Sequence, residues 1–208
     1  MIFKQTNKNR IMKNTKINLF KYTLKDNFLK TTSKFNYLRY VYCHNNKRYA
    51  TNAFVCIEQN LPYKNELENF FIDKDENIVY LSETTSDPKE KYNEIIPLMF
   101  DDSIQPIIKF SIDKQIIETT INNIKNELKE NYDCMFNICG YNFSGRYFLT
   151  FLQVLKDCKV VDTELEIIKY YEQSYLIRFK QNDIQVVVLN CFDTINKDIA
   201  SLFPHIIN

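Results

Sequence analysis

Several features common in proteins are missing from this 208-residue sequence, which has no Trp and only two Gly, Gly140 and Gly145. With so little Gly, left-handed backbone positions at turns must fall mostly to Asn and Asp, which tolerate them better than other side chains. No apolar run approaches the roughly 20 residues that cross a bilayer, and the N-terminal stretch lacks the apolar core of a secretory signal. We therefore expect a cytoplasmic protein without membrane contact.

Catalytic and metal-binding signatures are also missing. The chain has two His, His44 and His205, and no Gly-rich phosphate loop, Gly-x-Ser-x-Gly elbow or His-x-x-x-His pair. The six Cys lack paired spacing, which favours reduced thiols. The nearest approach to a metal pattern is Cys43, His44, Cys56, Cys134 and Cys139. Because Cys43 and His44 are neighbours on a predicted strand, their side chains should point to opposite faces. We expect no metal site, no cofactor and no enzyme; an enzyme that uses Cys43 and His44 is an alternative, which alanine substitutions there would test.

Positive charge is concentrated at the start of the chain. The net charge is only +1, yet residues 1–50 contain nine Lys and three Arg against a single acid, Asp26, a local charge of +11. A basic segment on a nearly neutral protein is typical of proteins that bind a polyanion, most often nucleic acid. Residues 1–16 alone are equally consistent with a solvated basic arm.

Hydrophobic periodicity predicts an α+β fold in which helices pack on one face of antiparallel sheets. Helices are predicted over 17–34, over 112–130 after a Ser111 cap, and over 145–158 after Ser144. Strands are predicted at 37–43, 49–58, 77–83, 107–110, 135–143, 164–171, 175–180 and 184–192. Asn45-Asn46 is the expected turn between the first two strands, and residues 87–97 are expected to be an acidic, Pro-bounded connection.

Three stretches, taken in order, resemble the DNA sliding clamps of the bacterial DNA polymerase III beta-subunit type, in a short form such as phages and mobile elements carry. Leu38-Arg39-Tyr40-Val41 leads through a hairpin to Ala50–Val55, where the family has an Ala-Thr-Asp-Gly turn and a further strand. Tyr92–Pro97 keeps the Tyr and the closing Pro of a segment that ends a clamp domain. Asn137–Phe192 follows the order of the family's terminal unit, which is a strand, a turn, a helix and a strand meander.

The resemblance also implies a domain organisation. We expect a basic arm at 1–16, an abridged clamp-like domain at 17–103, a second clamp-like domain at 104–193 and a tail at 194–208. Two departures from the family pattern stand out: Asn52-Ala53 replaces the acidic-Gly turn, and Val188–Phe192 stands where a Met-Pro segment is usual.

A sliding clamp is a processivity factor and not an enzyme. The resemblance implies a homo-oligomeric ring, with helices around a hole for duplex DNA and a polymerase or other replication protein docked outside through a short peptide. Helix faces toward the hole should be rich in Lys, because phosphate contacts are independent of sequence and permit sliding. The predicted DNA-binding residues are Lys21, Lys25, Lys30, Lys34, Arg39, Lys47, Arg48, Lys114, Lys125, Lys129 and Arg146. The alternative is a clamp-like nucleic-acid-binding or decoy module that never closes a ring, such as a phage protein directed at host replication.

Overall fold

A nine-stranded sheet organises the chain, and all of its neighbouring strands are antiparallel. The structure, a computed structural model, describes residues 19–24, 38–60, 69–73, 75, 77–79, 88–132 and 134–191. Its strands are β1 (Val41–His44), β2 (Lys47–Thr51), β3 (Val55–Gln59), β4 (Phe70–Ile72), β5 (Ile78–Val79), β6 (Ile108–Asp113), β7 (Met135–Ile138), β8 (Tyr141–Ser144), β9 (Asp162–Tyr171), β10 (Ser174–Gln181) and β11 (Ile184–Leu189). Its helices are the 3₁₀ turn η1 (Leu19–Tyr22), α1 (Pro88–Phe100), α2 (Lys114–Glu130) and α3 (Gly145–Asp157).

The strand order is β5-β4-β1-β2-β3-β11-β10-β9-β6, and β7 and β8 form a separate hairpin. At the middle of the large sheet β3 pairs with β11, so that Cys56 lies opposite Val187. This pairing places strands from residues 17–103 and from 104–193 in the same sheet. The division into two clamp-like domains stays a prediction.

The two faces of the large sheet are covered by different helices. On β10, Ile177 and Phe179 point toward the cluster that contains α2 and α3, which we call the helix-pair face. The alternate residue Leu176 points toward the cluster that contains α1, which we call the α1 face. This alternation follows from the two-residue period of a strand, and both faces are therefore buried over much of the sheet.

Helix α1 was not predicted, and the expectation of a connection at 87–97 was wrong. Its buried residues Tyr92, Ile96, Met99 and Phe100 recur at i, i+4, i+7 and i+8, which is a helical period. Pro88 is compatible with this helix because the first helical position needs no backbone donor. The helical spacing of these apolar residues was visible in the sequence. Pro97 nevertheless lies inside the helix, and a Pro at such a position is usually taken as a helix boundary.

The predicted α+β class is confirmed by a large antiparallel sheet and, among the described residues, three α-helices. The expectation that helices pack on one face was wrong, because α1 covers the face opposite α2 and α3. The inward residues predicted for α3 are fully buried: Phe148, Phe151, Leu152 and Leu155. Helix α2 begins later than predicted, and its cap is Asp113, whose Oδ1 accepts a hydrogen bond from the Ile116 amide at 2.7 Å. Ser111 instead lies in β6.

Asn residues supply several of the left-handed turn positions, as expected for a chain with little Gly. Asn45 and Asn46 have φ of 48° and 59° in the β1–β2 turn. The predicted strand 49–58 is instead two strands, because Ala53 at φ 77° turns the chain between β2 and β3. Asn52 Oδ1 accepts hydrogen bonds from the amides of Phe54 and Val55 at 3.1 and 2.8 Å. The turn that the clamp resemblance implies here is therefore present.

The other differences concern the first helix and the β7–β8 region. Within the predicted helix 17–34 the structure describes only 19–24, where η1 forms. The predicted strand 135–143 is a hairpin that turns at Cys139 and Gly140, both at positive φ. No helix among the described residues is long and apolar enough to cross a membrane.

Candidate nucleic-acid interface

Helices α2 and α3 lie side by side and run in opposite directions. Near the start of α2, Glu118 Oε1 lies 3.5 Å from Nζ of Lys156 in the last turn of α3. Just after the end of α2, the Tyr132 ring centroid lies 4.0 Å from the guanidinium carbon of Arg146 in the first turn of α3. Contacts at both ends therefore show that the two helices adjoin along their length, and their solvent-accessible residues form one continuous surface.

The lysines predicted on α2 share one side of that helix. Lys114, Glu118, Lys125 and Lys129 recur at i, i+4, i+11 and i+15, so they form a stripe along the helix axis. Because Glu118 contacts Lys156, this lysine stripe lies on the side of α2 that adjoins α3.

The lysine stripe is poorly neutralised. Among the described residues no carboxylate pairs with Lys114, Lys125 or Lys129, and Lys129 donates only to the amide oxygen of Asn126, at 3.3 Å. Glu118 is the carboxylate on the stripe, and Lys156 already contacts it. Positive charge therefore dominates the surface between α2 and the start of α3.

Lys21 joins the far end of the same surface, at the last turn of α3. Its Nζ donates to Asp157 Oδ2 at 2.8 Å, and the Tyr22 hydroxyl donates to the same oxygen at 2.9 Å. The hydrogen bond to Asp157 raises the pKa of Lys21, and the bond from Lys21 lowers the pKa of Asp157. Asp157 thus offsets the charge of Lys21 and attaches η1 to α3.

Lys47, Arg48 and Arg39, which were predicted to extend the basic patch, have surroundings different from those of the lysine stripe, and their contact with DNA stays a prediction. Lys47 Nζ pairs with Glu58 Oε1 at 2.9 Å on the α1 face. Arg48 lies opposite Cys43 in the register and is buried. Arg39 is half-buried in a turn whose neighbouring residue Leu38 packs into the α1-face cluster. Strand alternation places Lys47 on the α1 face, whereas Arg48 lies on the same side of the sheet as Cys43 and is buried there.

Part of the predicted site falls outside the described residues. Lys25, Lys30 and Lys34 of the predicted first helix are in this group, as are the arm at 1–16 and the tail at 194–208. Their contact with DNA stays a prediction.

A second charged cluster lies on the α1 face, where nothing in the sequence indicated it. Arg178 is buried, and its Nε donates to Glu166 Oε2 at 2.9 Å while another of its nitrogens donates to the Asp101 carbonyl at 3.0 Å. The pairs Lys109–Glu164 and Lys180–Asp102 lie beside it at 2.8 and 2.6 Å. The cluster is balanced in charge, and it attaches the segment after α1 to β9 and β10.

Cys43 and His44 point to opposite faces, as their strand positions predict. Cys43 is buried in the cluster of the helix-pair face. The His44 ring stacks on Tyr42, and its Nδ1 contacts the amide oxygen of Asn69. The two side chains therefore do not form a nucleophile–base pair. Among the described residues no group of three or more His, Cys, Asp or Glu is placed to hold a metal ion.

Comparison with known proteins finds similarity in structure only. No protein-family model matches the chain, and no curated protein matches its sequence. The DNA polymerase III beta subunit of Thermotoga maritima is 13% identical over 84% of this chain and 62% of its own, with a TM-score of 0.46. The Helicobacter pylori beta clamp bound to a DNA ligase peptide is 13% identical over 83% and 62%, with a TM-score of 0.48. The beta subunit of Pseudomonas aeruginosa is 10% identical over 83% and 64%, with a TM-score of 0.49.

These similar structures are beta-subunit sliding clamps, the class that the sequence resembles. The chain spans less than two thirds of the length of each of these proteins.

Proposed function

We propose that this chain is a non-enzymatic DNA sliding clamp, a processivity factor that encircles duplex DNA and tethers a polymerase or another replication protein. One observation carries the proposal. Helices α2 and α3 together present the lysine stripe and Arg146 on one solvent-accessible surface. The other parts of the proposal, which are the closed ring, the homo-oligomer and the tethered replication protein, follow from the resemblance of the sequence motifs and their order to sliding clamps.

The chemistry of the lysine stripe suits sliding better than tight or selective binding. A Lys ammonium is a compact charge on a flexible stem, so its attraction to phosphate depends little on direction. Contacts of this kind displace counterions and carry no sequence information. A surface built from them holds the duplex at low salt and allows it to move along its axis. Retention at physiological salt then requires a closed ring.

The proposal assigns DNA contacts to residues on or next to the α2–α3 surface. These are Lys21, Lys114, Lys125, Lys129 and Arg146. Lys25, Lys30 and Lys34 lie outside the described residues and are assigned to DNA on the sequence prediction alone. Lys47 is not included because it pairs with Glu58 on the α1 face, and Arg48 is not included because it is buried. For Arg39, which is half-buried, contact with DNA stays a prediction.

Retention on closed and open DNA provides the test. The protein is incubated with nicked circular DNA and with the same DNA after linearisation, and the retained protein is measured after gel filtration at 150 mM salt. A ring should stay on the circle and run off the linear ends. Mass measurement in solution at micromolar concentration should give a homo-oligomer.

Equal loss from both DNA forms would contradict the ring. If the protein is also a monomer that binds duplex DNA at low salt, the module that never closes a ring becomes the better account. A clamp loader is included as a second arm, since a stable ring opens slowly without one. Absence of duplex binding at 50 mM salt would overturn both accounts, because each requires the phosphate contacts.

A further inference from the structure

We propose that the protein also binds single-stranded nucleic acid. Unpaired bases would stack on an aromatic platform at the first turn of α3, next to the C-terminal end of α2. The platform consists of two pairs, Tyr132 with Arg146 and Phe54 with Tyr147, which meet at consecutive residues of α3. This inference rests on the proposed nucleic-acid function of the α2–α3 surface, and it adds a ligand that a duplex-binding helix pair does not require.

The first half of the platform is a cation–ring pair. The Arg146 guanidinium carbon lies 4.0 Å from the centroid of the Tyr132 ring, and 64% of the Tyr132 surface is exposed. A planar guanidinium and an aromatic ring are both surfaces on which a base can stack. Arg146 thus holds one side of the ring in place while much of Tyr132 remains accessible.

The second half is a stacked ring pair. Phe54 and Tyr147 have centroids 4.0 Å apart and planes within 10° of parallel, and Phe54 is 36% exposed. The Phe54 backbone is fixed on both sides, since its amide donates to Asn52 and its carbonyl accepts from the Leu189 amide at 2.8 Å. The ring is therefore already ordered, and binding would not have to fix it.

Charge next to the platform matches a nucleic-acid strand. Lys125 and Lys129 lie in the last turns of α2, immediately before Tyr132, on the side that adjoins α3. Glu127 and Glu130 are in the same turns, but their helical positions place them away from the lysine stripe. Cations that follow the phosphates beside rings that stack on the bases are the common feature of single-strand binding surfaces.

An unpaired strand fits this arrangement better than a duplex does. In a duplex, each base face is covered by the neighbouring base pairs, so exposed rings find no stacking partner without distortion of the helix. In a single strand the base faces are accessible and stacking tolerates any sequence. At a junction between duplex and single strand, the lysine stripe and the platform could bind one DNA molecule together.

The experiment measures binding of a 15-nucleotide oligo-dT that carries one 2-aminopurine, beside a blunt 15-base-pair duplex, both at 50 mM salt. Stacking on a ring quenches 2-aminopurine, and the chain has no Trp to interfere with its fluorescence. The test variants are Tyr132→Leu and Phe54→Leu, which keep apolar bulk but remove the ring. Tyr132→Phe and Phe54→Tyr are matched controls, because they keep it.

We expect each Leu variant to bind oligo-dT about tenfold more weakly and to lose the quenching, while duplex affinity stays within twofold. The two control variants should resemble the wild type. Circular dichroism checks folding, and Tyr132→Leu is the safer variant because its side chain is the more exposed.

Three results would overturn the inference. Leu variants that bind oligo-dT like the wild type would remove the platform but leave the duplex function intact. Equal weakening for single strand and duplex would show that the rings serve general binding. If the wild type binds the duplex but not oligo-dT, only this inference fails; if it binds neither, the proposed function fails with it. If the rings instead bind a protein partner, the Leu variants would bind oligo-dT like the wild type.

Discussion

The two faces of one sheet differ in how many of their lysines are paired with a carboxylate. On the α1 face, Lys47, Lys109 and Lys180 each lie within 2.9 Å of a carboxylate oxygen. On the helix-pair face, Lys125 and Lys129 have no carboxylate partner among the described residues. Lys21 and Lys156 on the helix-pair face are also paired, with Asp157 and Glu118, so the charge available to a ligand there is that of the lysine stripe. The formal charge of a segment therefore says less about binding than the surroundings of each cation.

The largest effect should come from breaking the charged cluster of the α1 face. Arg178→Ala removes a buried guanidinium and leaves the Glu166 carboxylate and the Asp101 carbonyl without their donor. We expect the free energy of unfolding to fall by about 3 kcal/mol, as measured by urea denaturation. Lys180→Ala, which removes the exposed pair with Asp102, should cost under about 1 kcal/mol. Similar values for the two variants would show that the buried position of Arg178 is unimportant.

Removing cations from the helix-pair face should change binding and not stability. The double variant Lys125→Ala with Lys129→Ala should weaken duplex binding about tenfold at 50 mM salt and reduce the slope of log K against log salt by about 2. Fluorescence anisotropy over a salt series measures both. The control is Lys109→Ala with Lys180→Ala on the α1 face, which should leave the slope unchanged. Equal slopes for all forms would contradict the assignment of the lysine stripe.

Asp157 should contribute a small, pH-dependent stability. Because the hydrogen bond from Lys21 lowers the pKa of Asp157, its contribution is present above the unfolded pKa of about 3.9. It is lost as pH falls through the lower folded value. Asp157→Asn should therefore lower the free energy of unfolding by under about 1 kcal/mol at pH 7, and the difference should vanish near pH 2. Urea unfolding at pH 7, 4 and 2 measures this, with Asp183→Asn in the exposed β10–β11 turn as control. A difference that persists at pH 2 would have another cause.

The smallest effect should be on the alkylation of Cys56 and Cys158, which we expect to react slowly in the native protein. Burial raises the pKa of Cys56 on the α1 face to about 12 and the pKa of Cys158 at the end of α3 to about 11. Since the thiolate is the nucleophile, iodoacetamide at pH 8 should label both only slowly in the native protein and readily in urea. Peptide mass spectrometry gives the rates. Native labelling of Cys56 as fast as in urea would show that its side of the sheet opens easily.

Local sequence predicted the parts of the fold that depend on a repeating period. The four residues predicted to face inward on α3 are all buried. One side of this helix packs on the sheet, and the helical period of 3.6 residues identifies that side from the sequence. The same signal existed for α1, but Pro97 obscured it. The cap of α2 differed by two residues, since both Ser111 and Asp113 are good caps and only the extent of β6 selects between them.

The candidate site was predicted less completely, for a reason that the β1–β2 hairpin makes plain. Lys47 and Arg48 read as two more cations of a basic segment, yet one pairs with Glu58 and the other is buried. Their neighbours across the sheet come from β1 and β3, and no local pattern shows what a distant strand brings opposite. Tyr132 and Phe54 were missed for the same reason, because each ring contacts a residue of α3 that no local pattern places beside it.

By itself the amino-acid sequence determined the excess of cations near its start, the helical side on which Lys114, Lys125 and Lys129 lie, and the turn residues that replace glycine. Tertiary structure alone decided which cations stay available, because an ion pair or burial depends on strands that meet across the sheet. It also decided that Arg146 lies on Tyr132 and that α2 and α3 form one surface. Local periodicity acts over a few residues, whereas these contacts join residues far apart in the chain.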